Sequence, residues 1–204
     1  MDGFHSRKLC FLAAVGAVVC AFQYSVSAEG YYSFGRSINK SFGDANEETM
    51  LTESIFVPIE GTVLDVDLAL NVEHPSICDL QIFLESPAGT RVCINSYDVH
   101  TPFVAGRKDF YWTIFDAESP VDIDSGTSPF SGLYRGNGPD SLTVFYGQQS
   151  YGTWQVTISD KVLGDTGTFK GVRLDFHINP EPSTMLLFLF SAVIGIFSDK
   201  PKSV

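Results

Sequence analysis

Between Val63 and Val72 the chain alternates residue by residue. Val63, Asp65, Asp67, Ala69 and Asn71 interleave with Leu64, Val66, Leu68, Leu70 and Val72, and the second set is wholly apolar. A repeat of two is that of a β-strand with one dry face and one wet face, so this segment predicts a half-buried strand. Further apolar, aromatic-rich runs follow at residues 54–59, 80–84, 110–115, 142–146, 154–158 and 172–178. Between them lie Ser86-Pro87-Ala88-Gly89, Gly126-Thr127-Ser128-Pro129, Gly136-Asn137-Gly138-Pro139 and Gly164-Asp165-Thr166-Gly167, strings rich in turn formers. Seventeen Phe, eight Tyr and 18 Gly favour strands and turns over helices. Short strands without an amphipathic helix predict an all-β sandwich or jelly roll, not a βαβ fold. No repeat of fixed period occurs, and one domain accounts for the folded length.

The two ends read differently. Arg7 and Lys8 precede an apolar stretch from Leu9 to Phe22, and Ser25-Val26-Ser27-Ala28 supplies small residues for cleavage. That is the three-part pattern of a secretory signal over residues 1–28, with Cys10 and Cys20 inside it. Residues 29–52, with Tyr31, Tyr32 and Gly35, read as a lead-in segment or edge strand, and 53–179 as the sandwich. At the far end, Pro180-Glu181-Pro182 leads into an apolar run from Met185 to Phe197, then Lys200 and Lys202. Thirteen residues make roughly 20 Å of helix, short of the ~30 Å hydrocarbon core. Motif, short hydrophobic helix and basic end together resemble the PEP-CTERM sorting signal of Gram-negative bacteria over residues 180–204. That resemblance implies an exosortase as partner, anchoring in the membrane before processing, and delivery to the cell surface or extracellular matrix. A plain C-terminal membrane anchor is the alternative reading.

Charge narrows the partners. The formal net charge is −11, and phosphate chains are repelled by such a surface, which argues against nucleic acid. Cations are attracted, Ca²⁺ foremost. Asp116, Glu118, Asp122 and Asp124 fall within nine positions beside Ser119, Pro120 and Gly126, so a bent acidic loop there is the candidate metal site. A solvated loop without an ion is the plainer reading, and the spacing is not that of an EF-hand. Asp160 and Asp165 flank a second turn with the same two readings. In an oxidising compartment Cys78 and Cys93 are candidates for a disulfide across neighbouring strands, or two buried thiols. Neither a CxxC motif nor paired His spacing suggests structural zinc.

The segment His74-Pro75-Ser76-Ile77-Cys78-Asp79-Leu80-Gln81-Ile82-Phe83-Leu84-Glu85-Ser86-Pro87-Ala88-Gly89-Thr90 resembles the first hallmark of the P domain, or Homo B domain. Phe130 with Gly132, Gly152-Thr153-Trp154-Gln155-Val156-Thr157-Ile158-Ser159-Asp160, and Asp165-Thr166-Gly167-Thr168 with Leu174 resemble its second. That module follows the catalytic domain of kexin- and furin-type proprotein convertases. The match spans about residues 53–178, with Cys78 where the family has Gly and Val172 near its Trp. It implies a jelly roll of about eight strands and a non-catalytic role, with a serine endopeptidase or an envelope polysaccharide as partner.

Catalytic parts are scarce in the sequence. No Gly-x-Ser-x-Gly elbow occurs. Asp98, His100 and Ser128 can be drawn as a triad only on paper, since a triad is a geometry. The Ser128 hydroxyl reads as a loop hydrogen-bonder, and His74 and His177 as structural residues near strand ends. Asp79 reads as a loop brace before a cation ligand. Trp154 reads as a core filler whose indole N–H needs an acceptor, and as a sugar-stacking platform only in the sharper alternative.

Overall fold

A computed structural model describes residues 29–43, 49–97 and 107–181. The signal segment, the apolar run at 185–197, Pro182, Asp98 and His100 therefore lie outside the described residues. Nine strands are described: β1 (Gly30–Phe42), β2 (Thr49–Val57), β3 (Gly61–Glu73), β4 (Leu80–Glu85), β5 (Arg91–Asn95), β6 (Phe110–Phe115), β7 (Phe130–Tyr134), β8 (Gly152–Asp160) and β9 (Gly167–Pro180). Three short 3₁₀ turns, Ile77–Asp79, Ile123–Ser125 and Leu142–Phe145, are the helical pieces among the described residues.

The strands form two sheets, ordered β1-β9-β3-β6-β7 and β2-β8-β4-β5. All neighbours are antiparallel except β6 and β7. The all-β sandwich expected from the alternation is the fold. Alternation decides which side chains meet: β3 turns Val66, Leu68, Leu70 and Val72 inward, β9 turns Val172, Leu174, Phe176 and Ile178 inward, and all are buried. Leu80, Ile82 and Leu84 of β4, with Trp154, Val156 and Ile158 of β8, face them from the second sheet. Each fully buried side chain of this size contributes about 1.5–3 kcal/mol by leaving water.

The phase of β3 differs from expectation at its start. Val63 is wholly buried and Leu64 only partly so, because the pairing with β9 slips between Val63 and Asp65. A bulge of one residue reverses which side chains face the core. Residues 30–42, read as a lead-in, form the long edge strand β1, paired with β9 over most of its length.

Trp154 is fully buried, with edge contacts at 5.1 Å to both Phe145 and Phe176, and its Nε1–H donates to the Ser150 carbonyl at 3.0 Å. That is the core role, and it removes the sugar platform from this residue. The β4–β5 connection is the tight turn that its residues predicted. Gly89 sits at φ +80° and its N–H donates to Ser86 O, while Ser86 N–H donates to Thr90 O. A glycine takes that left-handed φ without a Cβ penalty.

Candidate functional site

The acidic loop runs from the end of β6 to the start of β7 and borders a groove of about 420 Å³. Asp116, Asp122, Asp124, Arg135, Asn137 and Asp140 are among the polar residues along it. The loop is shaped by its own side chains. Asp116 Oδ1 accepts the Glu118 N–H at 2.7 Å, and Asp122 Oδ1 accepts the Asp124 N–H at 3.3 Å, so each carboxylate closes a local turn.

The four predicted metal ligands are not brought to one point. Asp122 Oδ2 pairs with Arg135 at 3.1 Å, and Asp124 Oδ1 accepts from Arg107 at 3.3 Å and Asn137 at 3.2 Å. Glu118 turns the other way, its Oε1 2.7 Å from the Tyr146 hydroxyl. Among the described residues no group of three or more His, Cys, Asp or Glu converges as ligands. The loop's acids are engaged by local turns, by two arginines and, for Glu118, by the Tyr146 hydroxyl.

Glu118 and Asp116 instead face a second group of acids on the outer side of the first sheet. The Tyr146 hydroxyl lies 2.6 Å from Asp65 Oδ1 as well as 2.7 Å from Glu118, and its one proton serves one of them at a time. Burial and these two carboxylates push the phenol far above its ordinary range. Asp67, next outward residue on β3, is raised to about 7, first by burial and then by Asp65, Asp116, Asp175 and Glu118. Its Oδ1 is buried without a hydrogen-bond partner. Spacing along the chain could not show this group, since Asp65, Asp67, Asp116, Glu118 and Asp175 come from three separate segments.

The cysteines are not bridged: both are free. Cys93 lies opposite Phe83 in the β4–β5 ladder, whereas Cys78 sits on the 3₁₀ turn before β4 begins. They are therefore not cross-strand neighbours, and of the two readings the disulfide has no pair of facing positions. Burial raises the pKa of both thiols, which makes them poor nucleophiles.

Ser128 Oγ donates to Lys108 O and accepts Lys108 N–H, both at 2.5 Å, and so ties two loops together as its position predicted. His74 is wholly buried near the end of β3, with Nε2 3.3 Å from Asp160 Oδ2 and Nδ1 2.7 Å from the Ser76 carbonyl. Asp160 thus braces a buried histidine and, through Oδ1, the Val162 N–H. Asp79 hydrogen-bonds with Ser76, and burial raises its pKa, in keeping with a brace. Pro180 ends β9, and Glu181 is held by its N–H to Glu60 O at 3.1 Å and by Gln149.

The alternation of strands hid one feature. In Phe110-Tyr111-Trp112-Thr113 a period of two cannot bury both Tyr111 and Trp112, so two adjacent large rings signal an extra residue. The pairing of β6 slips there against both β3 and β7, and Trp112 takes φ +50°, 40% exposed.

The profile of the proprotein convertase P-domain family matches residues 63–176, more than half of the chain. Among solved structures, the chain is similar to the serine protease of Aeromonas sobria in complex with the chaperone ORF2. There the identity is 20% and the TM-score 0.45, over 74% of this chain and 28% of that one. A second structure of the serine protease of Aeromonas sobria gives 19%, 0.43, 73% and 27%. The chain thus spans little more than a quarter of those proteases. No curated protein matches it.

Proposed function

The chain belongs to the proprotein convertase P-domain family, and from that premise we propose that it is a non-catalytic binding or structural module exported to the cell surface or extracellular matrix. The observation that carries the proposal is the family match over the sandwich itself, residues 63–176, in a module that accompanies proteases without supplying their chemistry. Two features support it. The Ser128 hydroxyl is occupied by Lys108, and the buried histidine, His74, is occupied by Asp160 and Ser76. The sequence at both ends supplies the address: an export signal over residues 1–28 and a Pro180-Glu181-Pro182 tail for an exosortase.

Fractionation tests this reading. The full chain with an epitope tag placed after residue 43 is expected at the cell surface or in the matrix of a host with an exosortase. In a host without one, or with Pro180, Glu181 and Pro182 replaced by Ala, it is expected to stay in the membrane fraction. Cytoplasmic retention in both hosts overturns export.

A second reading follows from the family's usual company: the chain supports a separately encoded serine endopeptidase. Co-purification of an activity labelled by a fluorophosphonate probe, absent from cells lacking the chain, distinguishes it. Loss of labelling in Ser128→Ala would instead place an active serine in the chain and overturn both readings.

A further inference from the structure

The outer face of the first sheet carries two exposed aromatic platforms joined by a row of polar side chains. Along β9, Arg173, Asp175 and His177 point outward while Leu174, Phe176 and Ile178 are buried. At one end of this row Trp112 lies over Gly171, where a Cβ would come within 3.0 Å of the indole, and the Arg173 guanidinium stands 6.0 Å from the ring. Tyr111, opposite Asn71 on β3, is 62% exposed beside it. At the other end Tyr31, 83% exposed, stacks on His177 with ring centroids 4.4 Å apart. Six residue steps along the strand lead from Gly171 to His177, or about 20 Å at ~3.4 Å per residue.

Four observations concern what lies on this face. A bulky residue at positive φ is strained, and the strain here turns Trp112 out of the core at a bulge, a device that re-aims a side chain. Gly171 leaves room for the ring, since a Cβ there would stand 3.0 Å from Cη2 and 3.5 Å from Cζ2 of the indole. Between the rings, Arg173 is held rigid by both oxygens of Asp175 at 2.9 Å. Finally, a cavity of about 100 Å³ beside Tyr31 is lined by Ser33, Asp65, Asp67, Asp175 and His177, and Asp67 Oδ1 is a buried acceptor with no donor from the protein.

From this arrangement we infer that the outer face of the first sheet binds a neutral polysaccharide, with Trp112 and Tyr31 as stacking platforms and Asp67, Asp175 and Arg173 as hydroxyl partners. A pyranose ring presents C–H groups to an aromatic face and hydroxyls around its rim. Rigid rings flanked by fixed acceptors and donors match both. An acidic glycan is disfavoured because Asp65, Asp67 and Asp175 outnumber Arg173 in the row. A docked protein needs an apolar, water-free centre, whereas here the middle of the face is charged.

The inference rests on the surface-module reading, but the two fail separately, because glycan binding is measured on purified protein and sorting in cells. The full chain is run by affinity electrophoresis in gels containing a β-glucan, a mannan or a galactan, with polygalacturonate as the acidic comparison. Retardation by at least one neutral polymer is expected, weakened about tenfold in Trp112→Ala and in Tyr31→Ala, a loss equivalent to about 1.4 kcal/mol. Trp112→Phe retains most of the retardation, and Tyr31, exposed on an edge strand, provides a variant that leaves the core untouched. Added glycan also shifts the emission of the exposed Trp112 to the blue while the buried Trp154 stays unchanged, so the shift disappears in Trp112→Phe. Retardation by none of the neutral polymers, by polygalacturonate alone, or undiminished from wild type in both alanine variants overturns the inference. So does a Trp112-dependent protein partner on a chain that binds no glycan.

Discussion

Asp160 and Asp67 are both withdrawn from water, and their surroundings differ in kind. Asp160 is 1% exposed and every oxygen has work: Oδ2 faces His74 Nε2 and Oδ1 accepts the Val162 N–H. Asp67 has four carboxylates as electrostatic neighbours and an oxygen with no donor. A buried polar group is tolerable when its partners are built in, and costly when they are missing. The first arrangement locks the ends of β3 and β8 together. The second stores a cost on the face where the exposed rings lie, which is a surface that a ligand can relieve.

The largest effect expected from this contrast is at the locked end. Asp160→Ala leaves the buried His74 Nε2 without its partner and is expected to destabilise the full chain by about 3 kcal/mol in a denaturant titration. A loss below about 1 kcal/mol would show that the pair is not what joins the strand ends, and the contrast with Asp67 would collapse.

Asp67→Asn is expected to act in the opposite direction and to depend on pH. The folded pKa of about 7 lies above the unfolded value of ~3.9, so the folded state holds a proton that the unfolded chain releases. Wild-type stability contributed by this group is therefore full below pH ~4 and is lost as pH rises to ~7. The amide carries no charge to lose, so the variant gains about 1–2 kcal/mol over wild type at pH 8, solvent screening of this half-exposed group reducing the full linkage value, and almost nothing at pH 4. Equal gains at both pH values would mean that the cost is steric and not electrostatic.

How far these features could be read from the chain follows from the kind of contact each makes. The even positions of β3 and the Trp154 strand are period-two patterns, set by neighbours two residues away, and they specify the sandwich. The Gly89 turn is local chemistry and is equally legible. The bulges at Leu64 and Trp112 break the period by one residue, a displacement that depends on the partner strand as well as on the strand itself. The acidic loop was legible as composition. Its geometry was not, because Arg107 and Arg135, which pair with Asp124 and Asp122, are supplied from outside that stretch. For the cysteines the apolar run at 80–84 already left Cys78 ahead of its strand, and what spacing could not give is the register that sets Cys93 opposite Phe83.

A smaller effect sharpens the contrast on the Asp67 side. Tyr146 gives one proton to two carboxylates, Asp65 and Glu118, in the same acidic group. Removing the hydroxyl in Tyr146→Phe takes that donor away, and both carboxylates then face one another with less compensation. A hydrogen bond to a charged group is worth about 1.5–3 kcal/mol at most, and these carboxylates keep water on their exposed sides, so a loss of about 1 kcal/mol near pH 7 is expected. A double variant, Tyr146→Phe with Asp67→Asn, then tests whether the group acts as one unit. If it does, removing the Asp67 charge reduces the cost of losing the hydroxyl, and the two changes add to less destabilisation than their separate effects predict. Strict additivity would mean that Tyr146 serves its loop alone, with Asp67 an isolated defect in an otherwise ordinary strand.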